Sequence, residues 1–154
     1  MQNNLAVIMS LYKNDKLEYV KMAVESILNQ TYAEFDFYTQ YDGPIREDID
    51  NYLSSLQDSC VFIQKCAENK GLAQSLNDLL GIVMPKGYEF IARMDSDDIS
   101  KPERFEKQIA FLQVHPDINM VGGAINEIDG EGYDRGKTIR YPYSAEICHR
   151  ISIR

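Results

Sequence analysis

The sequence predicts an α/β fold in which a mostly parallel sheet lies between two layers of helices. Short apolar runs typical of buried strands alternate with longer segments whose apolar residues recur every three or four positions. The order is strand then helix, four times over, followed by a fifth strand, which implies right-handed crossovers between parallel strands. Because no linker, repeat or low-complexity tract interrupts the 154 residues, we predict one domain over residues 1–154.

The first two strand–helix units are predicted in the amino-terminal third. Residues 5–10 form an almost wholly apolar run, as expected for a parallel strand buried on both faces. After a polar turn, the apolar residues of segment 17–28 fall on one helical stripe. Residues 35–41 are rich in aromatic side chains and lead into the turn signal Asp42-Gly43-Pro44. A weaker helical pattern follows over residues 49–56.

The next elements follow the same alternation. Residues 61–63 are predicted as the third strand, and residues 72–83 as a helix with one apolar face that Pro85 helps to end. Residues 90–94 are predicted as the fourth strand.

The last helix and strand are predicted from a cap signal and an apolar run. Ser100 and Glu103 are spaced as a capping box with Pro102 in the first turn, so the fourth helix should begin there. Residues 119–128 are predicted as a fifth strand of the sheet.

Composition and charge exclude several classes of protein. Asp and Glu number 24 against 16 Lys and Arg, a formal charge of −8, so the basic face of a nucleic-acid-binding protein is missing. Three cysteines without CxxC spacing and only two histidines argue against a zinc site and against a disulfide framework. No amino-terminal signal pattern or membrane-spanning apolar run is found. We expect a cytoplasmic protein, with peripheral attachment to the inner face of the plasma membrane left open.

Two common nucleotide-binding loops are absent. The turn after the first strand, residues 10–15, contains no glycine and therefore no GxGxxG dinucleotide loop, and no GxxxxGK[ST] sequence occurs. A phosphate-bearing ligand would need another means of charge neutralisation.

Ligands of open parallel sheets bind beyond the carboxyl ends of the strands, and this rule selects four segments. They are Leu11-Tyr12-Lys13, Asp42-Gly43, Asn69-Lys70-Gly71 and Asp95-Ser96-Asp97-Asp98.

The acidic segment has two interpretations. Asp95 and Asp97 stand two apart at a strand end with Asp98 beyond them, and carboxylates so crowded repel one another unless solvated or bridged by a cation. Mg²⁺ or Mn²⁺ would bind here through few protein carboxylates together with phosphate oxygens and water, so a diphosphate could dock by sharing the ion. The alternative is a solvated turn before a capped helix.

The other candidates also have two interpretations each. Tyr12 could stack on a nucleobase or cover the sheet edge, and Lys70 could approach a phosphate or stay solvated. Asp42 could bind a ligand or only form a turn, and Asn69 could cap the next helix. Arg93, inside an apolar run, needs an anionic partner, which could be a nearby aspartate or a ligand phosphate.

Together these motifs resemble the family 2 glycosyltransferases. The likeness covers nearly the whole chain in the family's motif order and is greatest to the bacterial subgroup that builds exopolysaccharide and capsule, which includes the amylovoran biosynthesis glycosyltransferases. The residues that carry it are Val7–Tyr12, Ala23–Tyr32, Tyr41–Pro44, Glu68–Leu72 and Ala92–Asp98.

The resemblance implies a GT-A fold, which is Rossmann-like, and transfer of a sugar from a nucleotide-diphospho-sugar with inversion, supported by a divalent cation, Mn²⁺ or Mg²⁺. It implies that Tyr12 and Asp42 contact the base, that Asp95 contacts the ribose side and that Asp97 ligates the metal. The full expected donor-binding set is Leu11, Tyr12, Asp42, Asn69, Lys70, Gly71, Arg93, Asp95 and Ser96, with Asp97 and Asp95 at the metal.

The chain departs from the family pattern in two places. Tyr41 stands where relatives often carry the first acid of a pair. The general base of the family lies well downstream of the D-x-D segment, so we expect it beyond Arg154 and assign no catalytic residue. The 154 residues are then expected to be the donor-binding, amino-terminal portion of a longer enzyme.

Three functions remain as hypotheses. The first is a metal-dependent, inverting glycosyltransferase that uses a UDP-sugar and a glycan or lipid-linked acceptor in cell-surface polysaccharide synthesis. The second is a sugar nucleotidyltransferase, which usually has a glycine-rich loop that residues 11–15 lack. The third is a non-catalytic nucleotide-binding module.

Overall fold

The computed structural model describes residues 3–56 and 59–140, and within them the first four predicted strands form one parallel sheet. The strands are β1 (Leu5–Leu11), β2 (Phe35–Tyr41), β3 (Val61–Lys65) and β4 (Phe90–Met94). Their order is β3-β2-β1-β4, so β1 pairs with two neighbours. Its first residue, Leu5, is in register with Phe35 of β2 and with Phe90 of β4.

Helices cover both faces of this sheet. They are α1 (Leu17–Leu28), α2 (Glu47–Ser55), α3 (Leu72–Val83), which ends in a 3₁₀ turn at Met84–Lys86, and α4 (Arg104–Val114). Apolar residues of α1, α2 and α4 share one core cluster with one face of the sheet, and α3 packs on the other face. The predicted three-layer α/β fold with a parallel sheet is therefore confirmed.

The apolar run of β1 is explained by its place as an inner strand that helices cover on both faces. Leu5, Val7 and Met9 belong to the larger core cluster, whereas Ala6 and Ile8 belong to the cluster beneath α3. Because alternate side chains of a strand point to opposite faces, a strand covered on both faces has to be apolar throughout. Each large apolar side chain buried in this way stabilises the fold by about 2 kcal/mol.

The start of α4 differs from the sequence prediction. The helix begins at Arg104, and Ser100 does not cap it, because the Ser100 hydroxyl oxygen accepts Gln30 Nε2 at 3.2 Å instead of a backbone N–H of the helix. Gln30 takes over the capping: its Oε1 accepts the N–H of Phe105 at 3.2 Å, and its Nε2 donates to the carbonyl of Lys101 at 2.8 Å. The capping-box prediction was wrong because a side chain distant in sequence supplies the acceptor.

The chain divides into two compact units, the second of which begins at Val114. In this unit β5 (Ile125–Ile128) and β6 (Asp134–Ile139) form a two-stranded antiparallel sheet. Asp129 stabilises the turn between them, since its Oδ1 accepts the N–H groups of Glu131 at 3.0 Å and Tyr133 at 2.9 Å.

The prediction of a further strand of the mostly parallel sheet over residues 119–128 was therefore wrong in extent and in partner. Residues 119–124 are not in a strand, and β5 pairs with β6 rather than with the parallel sheet. A single domain over residues 1–154 stays a prediction. In the described parts of the chain, every helix is too short or too polar to cross a membrane.

Candidate functional site

A cavity of about 670 Å³ opens where β1, β2 and β4 end. The loops that follow these strands line it, as the position of ligand sites in open parallel sheets predicts. The expected residues that it brings together are Tyr12, Asp42, Asn69, Gly71, Arg93, Asp95, Ser96 and Asp97.

One side of the cavity is bordered by the segments Asp42–Gly43 and Asn69–Gly71, which we call the β2 rim and of which Asp42, Asn69 and Gly71 line the cavity. Asp42 is only 4% exposed, and its two carboxylate oxygens accept backbone N–H groups, Oδ1 from Lys70 at 2.7 Å and Oδ2 from Gly71 at 2.9 Å. Asn69 Nδ2 donates back to the carbonyl of Asp42 at 3.0 Å. The Asp42 carboxylate therefore holds the loop that leads into α3. Asn69 does not cap the helix; its side chain adds a third hydrogen bond between the two segments of the β2 rim.

Gly43 is required by the close approach of the two segments of the β2 rim. Its φ is +82°, and a Cβ at this position would lie 2.7 Å from the backbone nitrogen of Asn69. A side chain would thus meet both an unfavourable backbone conformation and a backbone atom that cannot move away cheaply. The two sequence motifs fit together as one structural unit.

Tyr41, the departure from the family pattern, faces the core and is not among the described residues that line the cavity. Its hydroxyl donates to Asp50 Oδ1 at 3.1 Å, and Lys65 Nζ donates to the same oxygen at 2.6 Å. Burial, reinforced by Asp50, raises the pKa of Tyr41 above its usual value. The substitution of an acid by tyrosine therefore falls on a residue of the core rather than of the cavity wall.

The opposite side of the cavity is bordered by Arg93 and Asp95–Asp98, which we call the β4 rim and of which all but Asp98 line the cavity. Arg93 donates to Asp95 Oδ1 from Nη2 at 2.6 Å and from Nε at 3.1 Å, so an aspartate is the anionic partner that the sequence required. Within residues 3–56 and 59–140, the Asp97 side chain makes neither a hydrogen bond nor an ion pair. Burial, followed by the carboxylates of Asp95 and Asp97, raises the pKa of Asp98.

The loop after β1 stands between the two rims. Tyr12 is 43% exposed, and a reciprocal pair of contacts fixes its backbone: its N–H donates to Asp15 Oδ2 at 2.9 Å, and its carbonyl accepts the N–H of Asp15 at 3.1 Å. Burial raises the pKa of Asp15, and the nearby Asp97 carboxylate adds to the shift, whereas hydrogen bonds with the Tyr12 backbone and with Ser96 oppose it. Asp15 therefore faces the β4 rim.

Sequence reasoning missed several residues of the cavity wall. The missed residues are Ser10, Asn14, Asp15, Lys16, Tyr19 and Leu72. A signal existed for Asp15, because an Asp three residues after Tyr12 in the loop of a parallel strand can accept a backbone N–H and close a turn. Tyr19 lies in the first turn of α1, and the ammonium of Lys16 is 5.0 Å from the centre of its ring.

Two expected donor-binding residues do not line the cavity. Leu11 is fully buried, and its backbone contributes by accepting the N–H of Asp42 at 2.7 Å. Lys70 Nζ pairs with Asp78 of α3 at 3.3 Å, so the structure shows it bound to a carboxylate of the protein. Both residues support the β2 rim through their main chains.

The side chains of the β4 rim fit a divalent cation most of whose ligands are phosphate oxygens and water rather than protein groups. Among the described residues, no three His, Cys, Asp or Glu side chains are arranged as a complete metal site. Asp95 and Asp97 nevertheless offer oxygen ligands at the cavity wall, with Asp15 and Asp98 close to them. This donor set suits Mg²⁺ or Mn²⁺, which are commonly held by one or two carboxylates together with phosphate oxygens and water.

Comparison with known proteins gives one family. A family model described as glycosyl transferase family 2 matches residues 6–152. The chain is 34% identical over 148 residues to the amylovoran biosynthesis glycosyltransferase AmsE of Erwinia amylovora, covering 96% of this chain and 54% of that protein. It is 33% identical over 147 residues to the O-antigen biosynthesis glycosyltransferase WbnJ of Escherichia coli, covering 93% and 54%. The chain thus spans about half the length of these relatives.

Solved structures share the fold. S. aureus TarS in complex with UDP-GlcNAc superposes with a TM-score of 0.62 at 20% identity, covering 75% of this chain and 32% of that one. The mannosyltransferase PcManGT from Pyrobaculum calidifontis, in complex with GDP-Man and Mn²⁺, gives 0.54 at 14% identity, covering 73% and 33%. The expected GT-A fold is confirmed by these likenesses.

Proposed function

Because the chain belongs to glycosyltransferase family 2, we propose that it forms the donor-binding part of an enzyme that transfers a sugar from a UDP-sugar. The acceptor is a glycan or a lipid-linked molecule of cell-surface polysaccharide synthesis. The observation that carries this proposal is the meeting of Tyr12, Asp42 and Asp97, from three different strand ends, around one cavity. The names of the relatives, which refer to amylovoran and O-antigen synthesis, support the acceptor class.

The base of the donor would bind between Tyr12 and the β2 rim. The exposed ring of Tyr12 offers a surface for stacking. Each Asp42 oxygen accepts one backbone N–H and keeps a second lone pair, which can accept an N–H of the base. The bound UDP-GlcNAc of TarS, which has the same fold, supports uridine as the base.

The diphosphate would bind at the β4 rim. Asp97, with Asp95, would hold Mn²⁺ or Mg²⁺, and Arg93 would add a positive charge next to Asp95. A cation bound there supplies Lewis-acid stabilisation for the charge that develops on the leaving nucleoside diphosphate. The Mn²⁺ in the complex of PcManGT supports a metal-dependent reaction.

We further propose that the transfer inverts the anomeric carbon. The acceptor hydroxyl gives its proton to a carboxylate base and forms the new glycosidic bond as the bond between the anomeric carbon and the diphosphate breaks. The nucleoside diphosphate leaves, so no covalent enzyme intermediate is needed. The described cavity residues are assigned to donor binding and none of them to proton abstraction. A lipid-linked acceptor would place the reaction at the cytoplasmic membrane surface through peripheral attachment.

Calorimetric titration of the chain with UDP, with and without Mn²⁺, tests this function. UDP should bind with Mn²⁺, and Asp97→Ala should weaken that binding by about a hundredfold, since it removes a metal ligand. Asp117→Ala is the matched control, because Asp117 is an exposed aspartate that does not line the cavity.

Other outcomes would select the alternatives. Equal UDP binding with and without Mn²⁺, or none at all, would contradict the metal-dependent transferase and favour a non-catalytic module. Binding of a nucleoside triphosphate with release of pyrophosphate would instead indicate a sugar nucleotidyltransferase.

A further inference from the structure

Arg104, the first residue of α4, binds the last two residues of β4 through its guanidinium. Its Nη2 donates to the carbonyl of Arg93 at 2.9 Å, and its Nη1 contacts Met94 Sδ at 3.3 Å. Its Nε donates to Gln108 Oε1 at 3.2 Å, one turn further along α4. The partly buried guanidinium is therefore fixed to the last two residues before Asp95, on the strand that carries the acidic segment.

Arg104 also acts on the charges of the β4 rim. Burial lowers the pKa of its guanidinium, and the carboxylates of Asp98 and Asp95 oppose that shift. Arginine stays protonated in proteins, so its charge is permanent. The permanent charge of Arg104 therefore lies within electrostatic reach of Asp98 and Asp95.

Arg104 differs in this respect from Arg93. The Arg93 side chain is exposed, and its ion pair with Asp95 is of the surface kind that contributes little to stability. Arg104 is held by three separate acceptors that only a planar, forked donor can reach together, which a lysine ammonium cannot imitate.

From this geometry we propose that Arg104 is a positioning residue for the metal–diphosphate site. It fixes the backbone on which Asp95 and Asp97 stand and offsets part of the repulsion among the carboxylates. The β4 rim is then ready to receive a cation without rearranging. Arg104 is not among the described residues that line the cavity, so it acts through its neighbours. This proposal rests on the proposed function, because it assigns Arg104 to the same donor site.

The test compares Arg104→Gln with Arg104→Lys and with Lys107→Gln. Lys107 is the matched control, since it is an exposed cation three residues further along α4. UDP affinity is measured by calorimetry, once with saturating Mn²⁺ and once without metal. Urea unfolding curves recorded at the same temperature establish that each variant is fully folded in the absence of urea.

A positioning role predicts a loss that depends on the metal. Arg104→Gln should weaken UDP binding in Mn²⁺ by about tenfold and metal-free UDP binding by less than about twofold. Arg104→Lys, which keeps the charge but not the fork, should recover part of the affinity, and Lys107→Gln should leave it unchanged. If Arg104→Gln does not fold, Arg104→Lys and Gln108→Leu carry the comparison, each with a metal-dependent loss of about two- to fourfold.

Three results would overturn the proposal. Unchanged affinity in Mn²⁺ for every variant that disturbs Arg104 would show that only the positioning role is wrong. Equal losses with and without metal would assign Arg104 a purely structural role. If the unsubstituted chain binds no UDP, the proposed function fails, and the positioning role fails with it.

Discussion

The β2 rim and the β4 rim face the same cavity but differ in how far their polar groups are satisfied by the protein itself. In the β2 rim, both oxygens of the buried Asp42 carboxylate accept N–H groups, and the Asn69 side chain donates to the carbonyl of Asp42. In the β4 rim, Asp97 is without a protein partner among the described residues, and Asp98 carries a raised pKa because of burial and its acidic neighbours. The β2 rim therefore satisfies its carboxylate within the protein, whereas the β4 rim leaves the Asp97 carboxylate without a hydrogen bond or an ion pair from any described residue.

This difference separates two uses of aspartate in one site. A carboxylate that accepts two backbone N–H groups is stabilised in its charged form and orders the chain around it. A carboxylate crowded by others lowers stability until a positive charge arrives. Substitutions in the β2 rim should therefore change folding, and substitutions in the β4 rim should mainly change binding.

The largest effect on folding is expected from Asp42→Ala. This change leaves the N–H groups of Lys70 and Gly71 without their acceptor, and we expect the free energy of unfolding to fall by about 3 kcal/mol. Urea unfolding followed by circular dichroism measures it. Glu68→Ala, which removes an exposed carboxylate one residue before Asn69, should change stability by less than about 0.5 kcal/mol. Equal losses in the two variants would remove the distinction between the rims.

A smaller loss is expected from Gly43→Ala. The new Cβ meets the Asn69 nitrogen and the backbone must keep a φ of +82°, so we expect a loss of about 2 kcal/mol. The control is Gly81→Ala, because Gly81 lies inside α3 with open space around it, and there alanine should stabilise the protein by about 0.5–1 kcal/mol. Thermal and urea unfolding of both variants give the comparison. A neutral Gly43→Ala would show that the two segments can move apart without cost.

The smallest effect is expected in the β4 rim, from Asp98→Asn. The pKa of Asp98 is raised in the folded chain, so the folded state binds this proton more tightly than the unfolded state. The stability that follows is present below about pH 4 and is lost as the pH rises through the raised value. The Asp98→Asn chain should therefore lose less stability than the parent between about pH 4 and pH 7.

Urea unfolding at both pH values, with chelator present, measures that difference. Asp117→Asn is the control for the loss of an exposed aspartate. Identical pH dependence in the parent and in Asp98→Asn would contradict the crowding of the β4 rim.

The parallel sheet could be predicted from the sequence because burial of a strand on both faces requires a continuous apolar run, which is a local pattern. The apolar run of β1 and the helical stripe that follows it need no knowledge of distant residues. The start of α4 could not be predicted in this way, because its capping acceptor, Gln30, lies just after the end of α1 and is distant in sequence. The pairing of β5 with β6 was missed for a similar reason, since an apolar run does not reveal which partner it will find.

Sequence reasoning could predict which loops of the candidate site meet, because the sheet topology determines that. It could not predict the partners of individual side chains. The meeting of Tyr12, Asp42 and Asp97 follows from the common edge at which parallel strands end. The turn of Lys70 towards Asp78 and the contacts of Arg104 depend on the orientation of helix side chains, which the pattern does not contain. The hydrogen bonds within the β2 rim could not be predicted either, because they join two loops that are distant in sequence, although both motifs were recognised.

The place of β1 between β2 and β4 fixes the width of the mouth of the cavity. Neighbouring strands are spaced about 4.8 Å apart, so the main chains that carry Asp42 and Asp95 start about 10 Å from each other, with Tyr12 midway. That span is set by the sheet ladder and does not change when side chains are exchanged. A ligand that contacts both Asp42 and Asp95 therefore has to span this distance.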